Sequence, residues 1–270
     1  MAERIVVLGS KGMLGQAAVK FFGENYDVIA FNDRYVPSNR SKYIDALIEL
    51  NPSVIVNCVG KIKQKTSKFE DLFVANTLLP LDLNGLPDNI LIIHPSTDCV
   101  FSGAGADPYG LFSSPNADDD YGLSKIYGEL SAHRRKATFI IRTSIIGFTA
   151  KNESGGLLDW FMRQPSGASI NGFTNHYWNG ITTLEWCHIA ESIILNSKAR
   201  ETPKVSNFIQ AGAKSAISKY ELLVSANEVF KRNLKIIPID TPEGVYRVLE
   251  PTVKIGSVRQ QLEDYLEWLN

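Results

Sequence analysis

Short apolar runs alternate with amphipathic segments along the first half of the chain. The apolar runs are rich in β-branched residues and nearly continuous, which is typical of strands buried on both faces of a parallel sheet. The runs that predict strands are 4–8, 27–31, 54–59, 90–95 and 139–143. The segments with helical spacing of their apolar residues are 13–22, 43–50, 69–83 and 118–133. This alternation predicts an α/β fold with a Rossmann-type, doubly wound parallel sheet.

The rhythm changes after Ser144, where residues 151–183 become rich in glycine, asparagine and aromatic side chains. Further helices are predicted at 184–196, 218–230 and 257–269, and short strands at 205–209 and 234–237. We therefore divide the chain into a Rossmann domain over 1–150 and a small C-terminal lobe over 151–270. One or two strands of the lobe should complete the sheet.

Composition and charge exclude several classes of protein. The chain has 270 residues, of which 44% are hydrophobic and 21% charged, with a formal net charge of −1. Near-neutral charge gives no reason to expect nucleic acid or an anionic membrane as a partner, and no apolar run is long enough to span a bilayer.

A strand is predicted almost directly after Met1, so we expect no secretory signal. Cys58, Cys99 and Cys187 are far apart and odd in number, which predicts neither disulfides nor a metal site and favours a reduced, cytoplasmic protein.

Three glycines follow the first predicted strand and open the first predicted helix, with the spacing Gly-x-x-Gly-x-x-Gly from Gly9 to Gly15. Glycines permit a tight turn and a close approach of the backbone to a pyrophosphate, which a helix N-terminus attracts. An ordinary glycine turn is the alternative. The residues of this turn that we predict to contact a dinucleotide are Gly9, Ser10, Lys11, Gly12, Met13 and Leu14.

The ends of the next two strands extend this predicted cofactor site, because ligands bind outside the carboxyl ends of such strands. The candidates after the second strand are Asn32, Asp33 and Arg34, and those after the third are Cys58, Val59 and Gly60. An acidic residue after the second strand binds the ribose 2′-hydroxyl, whereas a nearby arginine accommodates a 2′-phosphate. Arg34 and Lys11 therefore favour NADP(H). NAD(H) stays an alternative, since Arg34 and Lys11 can equally be solvent-exposed charges without a ligand.

A tyrosine and a lysine share one face of the helix predicted over 118–133. Tyr121 and Lys125 are four residues apart, so both side chains can point into one site. An ammonium beside a phenol favours the phenolate and lowers the pKa of the phenol, which makes it a usable proton donor or acceptor. Thr97 follows a predicted strand, where its hydroxyl can hold the same substrate oxygen. These groups suit proton transfer coupled to hydride transfer at a carbonyl.

These segments resemble the extended short-chain dehydrogenase/reductases. Within that family the chain looks most like the dTDP-4-dehydrorhamnose reductase group, which reduces nucleotide-linked 4-keto-6-deoxy sugars. The resemblance runs over essentially the whole chain. The segments that carry it are 9–15, 53–58, 96–103, 121–125, 128–129 and 141–144, together with Asn76.

The resemblance implies an NAD(P)H-dependent oxidoreductase that acts on a nucleotide sugar in the biosynthesis of deoxysugar and polysaccharide precursors such as dTDP-rhamnose. It implies that Thr97 polarises the substrate carbonyl, that Tyr121 is the acid, and that Lys125 binds the nicotinamide ribose and tunes Tyr121. It also makes 1–150 the dinucleotide-binding domain and 151–270 the substrate-binding lobe, and a homodimer is among our expectations. The predicted substrate contacts are Asp98, Cys99, Asn175 and Trp178.

Cys99 departs from the family segment, which usually reads Ser-Thr-Asp-Tyr-Val-Phe. GDP-fucose synthases have a cysteine at the matching position and use it with a histidine for epimerisation, so a combined epimerase and reductase is a second hypothesis. We prefer a small buried cysteine, because no neighbour that favours a thiolate can be identified in the sequence. A third hypothesis is a non-catalytic dinucleotide-binding regulatory partner, since a fold does not guarantee chemistry. The intact set of Thr97, Tyr121 and Lys125 argues against it.

Overall fold

The computed structural model describes residues 3–66, 68–149, 156–198 and 207–270. The elements up to residue 149 are β1 (Arg4–Leu8), α1 (Met13–Phe22), β2 (Asp27–Phe31), α2 (Arg40–Glu49), β3 (Val54–Asn57), α3 (Phe69–Phe73), α4 (Leu79–Asp82), β4 (Leu91–Ser96), α5 (Asp120–Ala132), β5 (Thr138–Arg142) and β6 (Ile145–Ile146). Those from residue 156 to 198 are α6 (Leu157–Met162), β7 (Ser169–Phe173), β8 (His176–Trp178), β9 (Ile181–Thr182) and α7 (Thr183–Lys198). Those from residue 207 onward are β10 (Phe208–Ala213), β11 (Ile217–Ser218), α8 (Lys219–Val229), β12 (Lys235–Ile239), β13 (Val245–Arg247), β14 (Val253–Ile255) and α9 (Val258–Leu269). The predicted boundary at 150/151 and the start of the strand predicted at 205–209 lie outside the described residues.

Seven strands of the described residues form one parallel sheet in the order β2-β1-β3-β4-β5-β10-β14. The order reverses at β1, because β2 pairs with one of its edges and β3 with the other. In doubly wound sheets such a reversal opens a crevice beyond the carboxyl ends of the strands, and ligands bind there. The predicted fold class is confirmed.

The central strands of the sheet are mostly apolar because helices cover both of their faces. Val6 and Leu8 of β1 pack in one buried cluster with Leu47 of α2. Val7, which points to the opposite face, packs in another with Phe22 of α1. Since successive residues of a strand point to opposite faces, burial on both sides leaves no polar alternation in the sequence.

The part of the chain after residue 156 extends the sheet with β10 and β14 and builds a lobe from shorter strands. The order β11-β8-β13 gives a three-stranded sheet, and β12 pairs with β7. In the former, β13 runs parallel to β8 with Arg247 opposite Trp178. No helix among the described residues is long and apolar enough to cross a membrane.

The helix predicted over 69–83 is interrupted. A π-helical turn at Val74–Leu78 separates α3 from α4. The wider turn carries Asn76, whose amide accepts the N–H of Lys61 at 2.9 Å and donates to the carbonyl of Lys61 and to the hydroxyl of Ser124, each also at 2.9 Å. Asn76 therefore ties the loop after β3 to α5. Such bulges are frequent at functional sites, and apolar periodicity does not reveal them.

Candidate active site

The glycine turn after β1 is tight and lies against the end of β3. Gly9 has a φ of +69°, and a Cβ on it would lie 2.9 Å from the nitrogen of Val59. A Cβ on Gly15 would lie 2.2 Å from the carbonyl oxygen of Gly9, so the helix can follow the strand this closely only with glycine there. Gly12 is the N-cap of α1 and has no side chain with which to cap it. The first-turn N–H groups of α1 are thus suited to an anionic ligand.

The end of β2 meets this turn through a side-chain hydrogen bond. The hydroxyl of Ser10 donates to Oδ1 of Asn32 at 2.6 Å. Asn32, Asp33 and Arg34 are exposed, and so is Lys11 in the facing turn. The residues predicted to select the cofactor therefore lie at one end of the glycine turn, accessible to a ligand.

A cleft of about 370 Å³ lies between the glycine turn, the loop after β3 and the end of β4. The predicted site residues that line it are Gly12, Met13, Leu14, Cys58, Val59, Gly60, Thr97, Asp98, Cys99, Tyr121 and Lys125. The lysine-rich loop 61–65 also lines it. Two of those lysines are tethered, since Lys61 pairs with Asp71 at 2.9 Å and Lys63 with Asp119 at 3.3 Å.

Tyr121 and Lys125 lie on α5, which begins beside the cleft because Asp119 caps it. Oδ1 of Asp119 accepts the N–H of Gly122 at 2.6 Å. The ammonium of Lys125 donates to the carbonyl oxygen of Pro95 at 2.8 Å. Pro95 precedes Ser96 and Thr97 at the end of β4, so this bond holds the face of α5 with Tyr121 and Lys125 against the strand that leads to the threonine.

The prediction that Lys125 lowers the pKa of Tyr121 is wrong for the protein without ligands. Burial raises the pKa of the Tyr121 phenol, and a hydrogen bond with the Thr97 hydroxyl opposes that shift only in part. Burial also lowers the pKa of Lys125 to about 8, against the influence of the Glu129 carboxylate one turn later. Desolvation, which a sequence does not show, is the largest cause of both pKa shifts. Tyr121 is therefore a neutral phenol at neutral pH, which is the state a proton donor needs.

Thr97 caps a short 3₁₀ turn at Asp98–Val100. Its hydroxyl accepts the N–H of Cys99 at 3.1 Å and donates to Oδ1 of Asp98 at 3.1 Å. Burial raises the pKa of the Cys99 thiol to about 12. A thiol in that state is protonated at neutral pH, so it is a poor base.

Asn175 and Trp178 lie outside the group of residues that line the cleft. Trp178 is only 2% exposed and belongs to the buried cluster of the lobe. The side chain of Asn175 binds the backbone of Thr241, donating to its carbonyl at 2.8 Å and accepting its N–H at 3.1 Å. Trp178 thus completes a core and Asn175 a turn, and the substrate contact of these two residues stays a prediction.

Two cations that the sequence did not single out lie close to the Asp98–Val100 turn. Arg247 of β13 reaches the thiol of Cys99, with Nη1 at 3.9 Å from Sγ. Lys219, the first residue of α8, has its ammonium 4.8 Å from the centre of the Trp178 ring. Burial lowers the pKa of Lys219 to about 8, although Asp98 and Cys99 act in the opposite direction. Both cations come from segments far from Cys99 in the chain, so no local sequence pattern predicts that they lie beside it.

A buried ion pair lies behind the cleft. Arg142 of β5 binds the Glu129 carboxylate twice, at 2.7 and 2.9 Å, and the hydroxyl of Ser96 donates to the same carboxylate at 2.6 Å. Arg142 also donates to Oε1 of Gln210 at 3.1 Å. This network joins α5 to the ends of β4, β5 and β10, and so fixes the frame in which the cleft residues are held.

Comparison with known proteins agrees with this geometry. A family model described as the RmlD substrate binding domain matches residues 3–159. Methionine adenosyltransferase 2 subunit beta from Xenopus tropicalis is 24% identical over 246 residues, which cover 84% of this chain and 72% of that protein.

Two solved structures share the fold. The dTDP-4-dehydrorhamnose reductase of Bacillus anthracis, solved in complex with NADP, superposes with a TM-score of 0.82 over 99% of each chain, at 18% identity. The enzyme WbmG of Bordetella bronchiseptica, solved with NAD and UDP, gives a TM-score of 0.73 over 99% of this chain and 94% of that one, at 13% identity. At such identities the likeness establishes the fold.

Proposed function

The chain belongs to the RmlD substrate binding domain family, within the extended short-chain dehydrogenase/reductases, and from this we propose that it reduces the 4-keto group of a nucleotide-linked 6-deoxy sugar with NAD(P)H. One observation carries the proposal: Thr97, Tyr121 and Lys125 line one cleft beside the glycine turn. A hydroxyl, a neutral phenol and a buried ammonium suit the reduction of a carbonyl.

The cofactor site fits a nicotinamide dinucleotide. The turn from Gly9 to Gly15 admits no side chain at its tightest points, and the N-terminus of α1 has no side-chain cap. Such a cradle suits a pyrophosphate. Arg34 and Lys11 support NADP(H) over NAD(H), since a 2′-phosphate would gain two charged contacts there. When bound, the cofactor supplies the hydride.

The residues of the chain then have separate roles. The hydroxyls of Thr97 and Tyr121 bind the keto oxygen and orient the carbonyl. Tyr121 gives its proton to that oxygen as the carbonyl carbon is reduced. The ammonium of Lys125 stabilises the phenolate left on Tyr121 and binds the nicotinamide ribose.

The protonated Cys99 thiol supports simple reduction over the combined epimerase and reductase. A base must be deprotonated before it can remove a proton from the sugar, and burial opposes this for Cys99.

A second candidate is a non-catalytic, dinucleotide-binding subunit. The observation that favours it is the similarity to methionine adenosyltransferase 2 subunit beta, a protein named as a subunit. The same glycine turn would serve that role, and the three cleft residues would then have no reaction to support.

The test is oxidation of NADPH and NADH by the purified protein with dTDP- and UDP-linked 4-keto-6-deoxy sugars. We expect turnover by the native chain and a loss of about 100-fold or more in Tyr121→Phe, the scale of a general acid. Tyr127 lies on the same helix but is 48% exposed, so Tyr127→Phe is the matched control and should keep full activity. Dinucleotide binding without oxidation on the whole panel would favour the subunit hypothesis.

A further inference from the structure

We infer that Arg247, a residue of the C-terminal lobe, is a positioning residue for Thr97. Its guanidinium clamps the segment that follows Thr97 and thereby fixes the Thr97 hydroxyl against Tyr121. The kinetic part of this inference rests on the proposed function, because it assumes that Thr97 binds the substrate carbonyl.

All three guanidinium nitrogens of Arg247 are used on one short segment. Nε donates to the carbonyl of Phe101 at 3.0 Å, and Nη2 donates to the carbonyl of Ser102 at 3.1 Å. Nη1 lies 3.9 Å from Sγ of Cys99. The donors of arginine form a rigid planar fork, so contacts to three groups of one segment fix both its position and its orientation. A lysine at the same place is a single point of attachment.

The backbone around Arg247 locks onto the same segment. The N–H of Tyr246 donates to the carbonyl of Gly103 at 2.8 Å. Gly103 has a φ of +79°, and a Cβ on it would lie 2.8 Å from Cγ of Arg247 and 2.9 Å from Cγ1 of Val245. The two segments are therefore packed as tightly as a glycine allows, which excludes a loose surface contact.

Thr97 depends on this segment for its orientation. The Thr97 hydroxyl accepts the N–H of Cys99 and donates to Asp98, so its direction is set by the Asp98–Val100 turn. The same hydroxyl acts to lower the pKa of the Tyr121 phenol, and both residues line the cleft. Thr97 forms the N-terminal side of the turn, and Arg247 holds its C-terminal side. Release of the guanidinium should loosen the turn and with it the contact between the two hydroxyls.

The clamp also joins the lobe to the catalytic strand. Arg247 ends β13, which pairs with β8, and β8 pairs in turn with β11. The strands of the lobe are thus connected, through Arg247 and the backbone of Tyr246, to the segment that follows Thr97. The position of the lobe and the position of the reacting hydroxyl are set together.

The experiment compares Arg247→Lys and Arg247→Met with the native chain. Arg259→Lys and Arg259→Met are the matched controls, because Arg259 is exposed on α9, where it pairs with Glu228 and Glu263. The first readout needs no substrate: the rate at which iodoacetamide alkylates Cys99, followed by mass spectrometry of the peptide. Because the Arg247 guanidinium also lowers the pKa of the Cys99 thiol, its loss in Arg247→Met slows alkylation, and Arg247→Lys, which keeps the charge, carries this readout. We expect about tenfold faster alkylation or more in Arg247→Lys, since hydrogen bonds to a charged group restrain local opening on that scale. The Arg259 variants should match the native rate.

The second readout is kinetic. In both Arg247 variants kcat should fall by about tenfold or more, while the Kd for NAD(P)H stays unchanged because the glycine turn is not touched. A native alkylation rate in Arg247→Lys would show that Arg247 does not hold the segment after Thr97. Faster alkylation with an unchanged kcat would overturn the link to Thr97.

The failure of the proposed function is distinguishable from the failure of the clamp. If none of the keto-sugar nucleotides supports oxidation of NAD(P)H by the native chain, the reductase proposal and the kinetic role of Arg247 fail together. The alkylation rates still decide whether Arg247 holds the segment after Thr97. If Arg247→Met does not fold, Arg247→Lys decides, because it keeps the charge and most of the aliphatic stem.

Discussion

The ammonium of Lys125 lies 2.8 Å from the carbonyl oxygen of Pro95, two residues before Thr97. This bond holds α5 against the end of β4 and brings Tyr121 and Thr97, which come from different elements, to one wall of the cleft. Burial disfavours the charge that makes the bond, as the lowered pKa of Lys125 shows. A buried ammonium kept at such a place is characteristic of a functional site.

Replacement of Lys125 by methionine should change how stability depends on pH. The pKa of Lys125 falls from 10.5 to about 8 in the folded protein. Between these values the unfolded chain binds more protons at this site than the folded chain, so Lys125 adds stability to the native protein as the pH rises, and Lys125→Met lacks that contribution. The difference in free energy of unfolding between the two should shift by about 3 kcal/mol over this window. Urea unfolding from pH 7 to pH 10.5 measures it.

Lys42 provides the control for this experiment, because it is exposed on α2. The stability of Lys42→Met should run parallel to that of the native chain at every pH. A constant difference between Lys125→Met and the native chain would contradict the burial of the ammonium.

Loss of Arg142 should destabilise the protein strongly. In Arg142→Met the buried Glu129 carboxylate loses its ion pair, and of its present side-chain partners it keeps only the Ser96 hydroxyl. Such a change costs about 3–5 kcal/mol. Glu129→Gln in the same chain should recover part of this loss, because the unpaired charge is then gone. Arg259→Met breaks exposed ion pairs and should cost at most about 1 kcal/mol. Denaturant unfolding of the native chain, Arg142→Met, Glu129→Gln, the double variant and Arg259→Met is the measurement. Losses in the double variant that equal the sum of the two single losses would argue against the coupling.

Removal of Arg34 should weaken NADPH binding selectively. Arg34 is exposed at the end of β2, beyond Asn32, which Ser10 of the glycine turn contacts. Arg34→Ala should raise the Kd for NADPH about tenfold, the scale of a hydrogen bond to a charged group, and leave the Kd for NADH unchanged. Arg134→Ala, an exposed arginine after α5, should change neither. Equal losses for both dinucleotides would show that Arg34 does not read the 2′-phosphate.

Much of the architecture could be predicted before any coordinates. The apolar runs of β1 and β3 indicate strands buried on two faces, and the spacing of Tyr121 and Lys125 places them on one face of α5. These features depend on residues two to four positions apart, so the chain displays them directly. The π-helical turn around Asn76 does not follow from such a pattern, since the contact that Asn76 makes there is with Lys61, 15 residues away.

The sequence by itself determined the doubly wound sheet, the glycine turn and the identity of the catalytic candidates, because periodicity and turn chemistry are local properties of the chain. Only the tertiary structure decided that the pKa of Tyr121 is raised, that Trp178 is a core residue, and that Arg247 holds the turn after Thr97. Desolvation depends on everything packed around a group, and Arg247 meets Phe101 across 146 residues of chain. Neither effect leaves a signature in the neighbouring sequence.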